Sequence, residues 1–103
     1  MRSSAAMLMT LAALCPAAAS AQQGPDKLTP LVRQDCGSCH GLTLKGGLGP
    51  ALLPKNLAGR DEAALAEVIL GGVPGTPMPP WRGLLSEQDA HWIARHLKEG
   101  FPQ

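Results

Sequence analysis

Apolar residues recur at helical spacing in three parts of the chain, and no segment alternates between apolar and polar residues as a strand would. The clearest pattern lies near the C-terminus, where Ser86 and Asp89 have the spacing of a capping box. The apolar residues that follow recur at i, i+3, i+4 and i+7: Ala90, Ile93, Ala94 and Leu97. Gly100 is the expected end of this helix.

Two earlier helices are predicted from similar signals. Thr29 followed by Pro30 is typical of an N-cap with proline at the first helical position, and the apolar run behind them predicts a short helix that reaches Cys36. Residues 22–27 are predicted to be a short mobile lead-in. A further helix is predicted over residues 61–70, with acidic residues in its first turn and two glycines after its end.

Glycine and proline are concentrated between these helices, in residues 41–54 and 71–83. Irregular loops of this length need something to pack against. The pattern as a whole predicts an all-α domain of three to four helices that carries two long loops.

The first 21 residues have the features of an export signal. Arg2 supplies the positive charge, residues 7–14 the apolar stretch and residues 19–21 a small-residue cleavage site. We therefore expect residues 1–21 to be removed and the remainder to be periplasmic. A transmembrane anchor is a weaker interpretation because the apolar stretch is too short to span a bilayer. A lipid anchor at Cys15 is weaker still because a bulky residue precedes the cysteine.

Composition changes the picture once this signal is set aside. The full chain has 103 residues with 9 Lys and Arg against 8 Asp and Glu. Because these charges nearly balance, the chain has no strong positive electrostatic field that would attract nucleic acid or an anionic membrane surface. The predicted mature part, residues 22–103, is one domain without stable membrane insertion. It keeps Cys36, Cys39 and a single methionine, Met78. Its aromatic residues, two Trp and one Phe, are few for an apolar core.

The decisive motif is Cys-x-x-Cys-His, formed by Cys36, Cys39 and His40, which is the pattern of c-type haem attachment. Two thiols at this spacing can both form thioethers with one haem, and the adjacent imidazole can bind its iron. A thioredoxin-like redox pair is an alternative, but it would be expected within a βαβ pattern. A zinc site is another, but it would need His91 and His96, which lie on different faces of the last helix.

An iron held by His40 needs a second axial ligand or an open position for a substrate. Met78 is the candidate second ligand, and an axial methionine raises the reduction potential. Three neighbouring prolines exclude a helix and hold the methionine on a loop with few conformations, which reduces the entropy lost in fixing its sulfur. Ligation by a second histidine, His91 or His96, is the alternative.

The backbone carbonyl of Pro50 is a candidate second partner for His40. A metal-bound histidine usually donates its other ring N–H to a carbonyl or carboxylate, which fixes the orientation of the ring. Taken alone, the Gly-Pro pair at this position indicates only a turn.

Other side chains are candidates for the edge of the haem. Trp81 is expected either to donate its indole N–H to a haem propionate, with Arg82 as a charged neighbour, or simply to pack. Lys45 and Lys55 are candidates for the exposed haem edge, although lysines on loops are usually only solvated.

Together these residues resemble the class I cytochromes c. The shared features are Cys-x-x-Cys-His near the start, Gly-Pro-x-Leu about ten residues later, a methionine in a late proline-rich loop and a final amphipathic helix. Residues 34–42, 46–52 and 74–79 are similar to cytochrome c55x, the small periplasmic cytochrome that accompanies the haem d1 nitrite reductase of denitrifying bacteria.

This resemblance implies a small all-α fold whose terminal helices cross, wrapped around one covalently attached haem c. It implies ligation by His40 and Met78 and favours Pro50 as the partner of the histidine. His96 stands where such cytochromes often carry an aromatic residue, so Trp92 or Phe101 is expected to make that contact instead.

The favoured function is an electron carrier, not an enzyme, with periplasmic redox proteins such as nitrite reductase as partners. An assembly factor for the haem d1 of nitrite reductase is one alternative. A haem enzyme or gas sensor, in which Met78 leaves the iron open, is another. A monomer is expected, with a dimer formed by exchange of a terminal helix as the alternative.

Overall fold

The computed structural model describes residues 22–102 without interruption, together with residue 6 and residues 9–13. Most of the predicted export signal, including Cys15 and the cleavage site, lies outside the described residues. The described part of the chain is helical and contains no strand, as the apolar spacing predicts. None of its helices is long and apolar enough to cross a membrane.

The N-terminal helical stretch begins earlier than predicted. Helix α1 covers Pro25–Leu31, the chain continues in π-helical conformation over Val32–Cys36, and α2 adds a last turn at Gly37–His40. The predicted start at Thr29 is wrong, because Pro25 already occupies the first helical position behind Gly24.

Pro30 consequently lies inside α1, where its missing N–H removes one i to i−4 hydrogen bond. The π-helical turns begin at Val32, two residues after this interruption of the regular helix.

The two later predicted helices are confirmed. Helix α4 covers Glu62–Gly71, and α5 covers Glu87–Glu99. The capping box of α5 is present in both directions: Asp89 N–H donates to Ser86 Oγ at 3.0 Å, and Ser86 N–H donates to Asp89 Oδ2 at 3.0 Å. A short helix, α3 at Pro54–Leu57, was not predicted.

Helices α4 and α5 pack against each other, and α3 packs on α5. The first helical stretch contributes Leu28 and Val32 to the same core, and both are fully buried. The buried apolar residues form one cluster: Leu28, Val32, Leu44, Leu57, Leu65, Ala66, Leu70, Leu85, Ala90, Ile93, Ala94, Leu97 and Phe101.

Hydrogen bonds tie the two ends of the described domain together. Gln23 N–H donates to Asp89 Oδ1 at 2.7 Å, and Asp89 is fully buried. At the other end of α5, Arg33 Nη2 donates to the Pro102 carbonyl at 2.9 Å. The predicted mobile lead-in is therefore wrong, since Gln23 is fixed to α5 and Pro25 begins a helix.

The rings of Trp92 and His96 on α5 form a small cluster with Phe101, which follows the helix after Gly100. The rings of Trp92 and His96 stack with centroids 3.9 Å apart, and Phe101 meets Trp92 edge to face at 6.3 Å. Trp92 thus contacts both Phe101 and His96, and His96 occupies the position where the resemblance led us to expect an aromatic residue.

Candidate functional site

A cavity of about 940 Å³ lies between α2, α4, α5 and the two long loops. All five candidate site residues line it: Cys36, Cys39, His40, Pro50 and Met78. Its other walls are largely apolar, and five residues of the buried core also line it: Leu57, Leu65, Leu85, Ile93 and Leu97. Part of the core therefore forms a wall of this space. Such a volume is at the upper end of what small-molecule and cofactor sites enclose.

The two cysteines are placed by the first helical stretch. Cys36 is the last residue of the π-helical segment, and Cys39 lies in α2. The two thiols are therefore about one helical turn apart, and both residues line the same cavity. Both are free thiols and half-buried. Two thiols on one side of a helix can bind to two points of a single flat ligand.

His40 is the last residue of α2, and the loop behind it returns to meet its ring. Its Nδ1 lies 2.7 Å from the Pro50 carbonyl oxygen. Two backbone hydrogen bonds close the loop in this position, from Gly49 N–H to the Cys39 carbonyl and from Gly46 N–H to the His40 carbonyl, each at 2.8 Å. With Nδ1 donating to Pro50, Nε2 is the ring nitrogen left to bind a metal.

Gly49 lies directly against the imidazole ring of His40. A Cβ at this position would come within 2.9 Å of ring atoms Cε1 and Nδ1, closer than real Cβ contacts. The backbone at residue 49 therefore packs against the imidazole ring, and any side chain at this position would displace the ring.

Met78 is half-buried on the loop between α4 and α5. The loop leaves α4 at Gly72, whose φ of +66° favours glycine, and an added Cβ would lie 2.7 Å from the Met78 carbonyl oxygen. After Met78 the chain is fixed to α4 again, because Trp81 N–H donates to the Ile69 carbonyl and Arg82 N–H to the Leu70 carbonyl, both at 3.1 Å. Close packing on α4 thus holds the methionine at the cavity.

The ionisation of Cys36 does not suit a redox-active thiol pair. Burial raises the pKa of its thiol from 9.0 to about 11, and the negative charge of Asp35 adds to the rise. Thiol–disulfide catalysts need a lowered pKa because the thiolate is the reactive form. Nor do three or more His, Cys, Asp or Glu side chains of the described residues converge into a metal-binding group, as a zinc site would require.

The two histidines considered as alternative ligands lie outside the cavity lining. The ring of His96 stacks on Trp92, and its Nδ1 lies 2.7 Å from the Trp92 carbonyl oxygen. His91 lines a separate groove of about 300 Å³ on α5, together with Trp92 and Arg95. The arrangement favours Met78 over either histidine as the partner of His40.

The candidates for the haem edge are only partly brought together. Trp81 lines the cavity, but Arg82 does not and instead pairs with Glu67 at 3.3 Å. Lys45 and Lys55 are exposed and also lie outside the lining.

Arg60, which sequence reasoning missed, is the lone Arg or Lys among the described residues that line the cavity. It sits in an irregular segment before α4, where no spacing or motif marks it. Its guanidinium is the group suited to balance the carboxylates of a bound haem.

These residues fit a c-type haem. The cavity combines a large apolar volume with two thiols, an imidazole oriented by a carbonyl, a thioether and one guanidinium. Each group matches a chemical feature of haem c, namely two vinyl carbons, an iron with two axial positions and two carboxylates.

Comparison with known proteins agrees with this assignment. Residues 23–97 match the family model described as cytochrome c oxidase, cbb3-type, subunit III. The chain is 50% identical to cytochrome c55X of Pseudomonas aeruginosa over 99 residues, which cover 91% of this chain and 83% of that protein. The solved structure of the c-type cytochrome NirC superposes with a TM-score of 0.71 at 55% identity, covering 72% of this chain and 87% of that one.

A larger protein contains a similar region. The dihydro-heme d1 dehydrogenase of Pseudomonas aeruginosa is 37% identical over 95 residues, which cover 92% of this chain but only 19% of that protein. With the site geometry, these matches show that the chain belongs to the cbb3-type subunit III family of cytochrome c domains and, within it, to the cytochrome c55X group, with covalently attached haem c as its cofactor.

Proposed function

We propose that this chain is a periplasmic electron carrier that passes single electrons between redox proteins and delivers them to a cytochrome cd1-type nitrite reductase. The observation that supports it best is that His40 and Met78 line the same cavity. With both side chains bound to it, a haem iron would have no open position for a substrate. Bound haem c supplies one reversible one-electron change at iron.

In this proposal each cavity residue has a distinct role. Cys36 and Cys39 form the two thioethers. His40 binds iron through Nε2, while its Nδ1–H donates to the Pro50 carbonyl, which fixes the ring and makes the imidazole a stronger ligand. Met78 would be the second ligand of the iron, and a methionine ligand would raise the reduction potential.

The surrounding residues keep this ligand set from moving when the charge of the site changes. The cavity walls are largely apolar, and the loops of His40 and Met78 are both closed by backbone hydrogen bonds. A ligand set fixed between apolar walls needs little rearrangement between oxidation states.

Replacing Gly49 by alanine is expected to push the His40 ring away from its position against the loop. We expect a stability loss of about 1–3 kcal/mol, typical of overpacking, and a shifted reduction potential because the Nδ1 to Pro50 hydrogen bond is disturbed. Thermal unfolding and a redox titration measure the two effects. Gly83→Ala is the matched control, since a Cβ there meets nothing within 4 Å. Equal behaviour of both variants would contradict the role given to Gly49.

Docking to the reductase is proposed to use the apolar rim of the cavity. The rim consists of Leu48, Val73 and Pro77, which line the cavity and are also exposed to solvent. Within the part of the chain that the structure describes, the cavity lining contains two residues with Asp, Glu, Lys or Arg side chains, namely Asp35 and Arg60. Contacts between redox partners of this kind are small and short-lived.

The test is stopped-flow reduction of purified cd1-type nitrite reductase by the reduced cytochrome. We expect fast transfer whose rate changes by less than about threefold between low and physiological ionic strength, because few charges are screened at the rim. Leu48→Glu is expected to slow the transfer, and Leu42→Glu, an exposed leucine outside the cavity lining, is the control. Absence of electron transfer would contradict the proposed partner. A steep dependence of the rate on salt would contradict the proposed docking surface.

A second candidate function is supported by the match to the dihydro-heme d1 dehydrogenase. That enzyme carries a region similar to this chain within a much longer protein, which suits a role for this chain as an electron acceptor during formation of haem d1. In a deletion strain supplied with other electron donors, reductase lacking haem d1 would favour this role. Fully loaded reductase would favour the carrier.

A further inference from the structure

The loop that carries Met78 has an unusual shortage of backbone donors. Residues 77, 79 and 80 are prolines, so Met78 has the one backbone N–H within residues 77–80. That N–H donates to the Thr76 side-chain hydroxyl, with a distance of 3.3 Å from Met78 N to Thr76 Oγ1. The backbone N–H of the ligand residue is therefore paired with a side chain and not with another backbone group.

The same hydroxyl connects Met78 to the beginning of the loop. Thr76 Oγ–H donates to the Val73 carbonyl at 2.7 Å, and Val73 N–H donates to the Met78 carbonyl at 3.2 Å. These bonds form a closed ring from Val73 through Thr76 to Met78 and back. Gly72, at the end of α4, lies directly against this hydrogen-bonded ring. A Cβ added at Gly72 would collide with the Met78 carbonyl.

We infer that Thr76 is a positioning residue whose hydroxyl holds the Met78 loop in the conformation that keeps the thioether on the iron. This inference rests on the proposed function, in which Met78 is the second axial ligand. Both hydrogen bonds of the hydroxyl lie at the exposed surface, so water can replace them when the hydroxyl is removed. Its loss consequently changes the fixed position of Met78 more than it changes the stability of the domain.

The experiment is a titration of the oxidised holo-protein with imidazole, followed by loss of the sulfur-to-iron charge-transfer band. Thr76→Val keeps the side-chain shape and removes the hydroxyl, and we expect imidazole to displace Met78 at about tenfold lower concentration. Thr76→Ala should show the same change, and Thr76→Ser should restore the wild-type value. Thr43→Val, at an exposed threonine outside the cavity lining, is the matched control and should behave as wild type.

The outcomes separate this inference from the proposed function. If the wild type lacks the band, or if Met78→Ala keeps it, the ligand assignment fails. If those two proteins behave as expected but Thr76→Val and Thr76→Ala titrate like the wild type, the role of Thr76 fails alone. An equal change in Thr76→Ser would also overturn it, because the hydroxyl would then not be the active group.

Discussion

Replacing Met78 by alanine is expected to leave the haem attached and the domain folded, but to open one coordination position at the iron. Cys36, Cys39 and His40 hold the cofactor independently of the loop, and the loop itself remains fixed to α4 at Trp81. We expect the charge-transfer band to vanish, carbon monoxide to bind the reduced protein, and the potential to fall by at least about 0.1 V because axial ligands dominate haem potentials. Visible spectra and a redox titration measure all three effects.

The wild type is the first control for this variant, since a carrier with both axial positions filled should not bind carbon monoxide. Leu84→Ala, at an exposed leucine outside the cavity lining, controls for the loss of an apolar side chain. Carbon monoxide binding by the wild type would support the alternative of a haem enzyme or gas sensor. A band that persists in Met78→Ala would place the sixth ligand elsewhere.

Loss of the haem is expected to unfold most of the domain. Five core residues line the cavity, so they lose a packing partner together when it is empty. A small domain buries a lower share of its surface on folding than a large one does, which leaves little reserve when a packing partner is lost. The Cys36→Ser/Cys39→Ser variant, produced without bound haem, should therefore show weak helical circular dichroism and no cooperative thermal transition.

The holo wild type, which should unfold cooperatively, is the control for this prediction. Wild-type chain produced without haem attachment should resemble the double variant, which separates loss of haem from the serine substitutions themselves. The single variant Cys36→Ser is expected to keep one thioether and a loosely held haem. A sharp transition in haem-free material would show that the polypeptide folds without its cofactor.

Helices α4 and α5 could be predicted because their signals are local. The capping box of Ser86 and the apolar spacing behind it need no information from the rest of the chain. The start of α1 could not be chosen in this way, since Pro25 and Pro30 both suit a first helical position. The contact of Gln23 with Asp89, distant in sequence, fixes the segment before Pro25 and favours the earlier start.

The same distinction between local signals and contacts distant in sequence decides which site residues could be predicted. The spacing of Cys36, Cys39 and His40 carries its own chemistry, and a methionine among prolines stands out in a sequence with one methionine after the predicted signal. Arg60 and Thr76 belong to no recognisable sequence motif. Their importance comes from what the fold places beside them, a cavity wall for Arg60 and the Met78 N–H for Thr76.

The hydrogen bonds that join Gln23 to Asp89 and Arg33 to Pro102 set an order of events during biogenesis. The first helical stretch cannot acquire these partners until the last helix has been synthesised, because contacts distant in sequence form only when both segments are present. The cysteine motif therefore emerges long before the core can close around it. Until then the segment that carries both thiols lacks the partners that join it to the last helix, so the motif lies on a chain whose core has not yet closed.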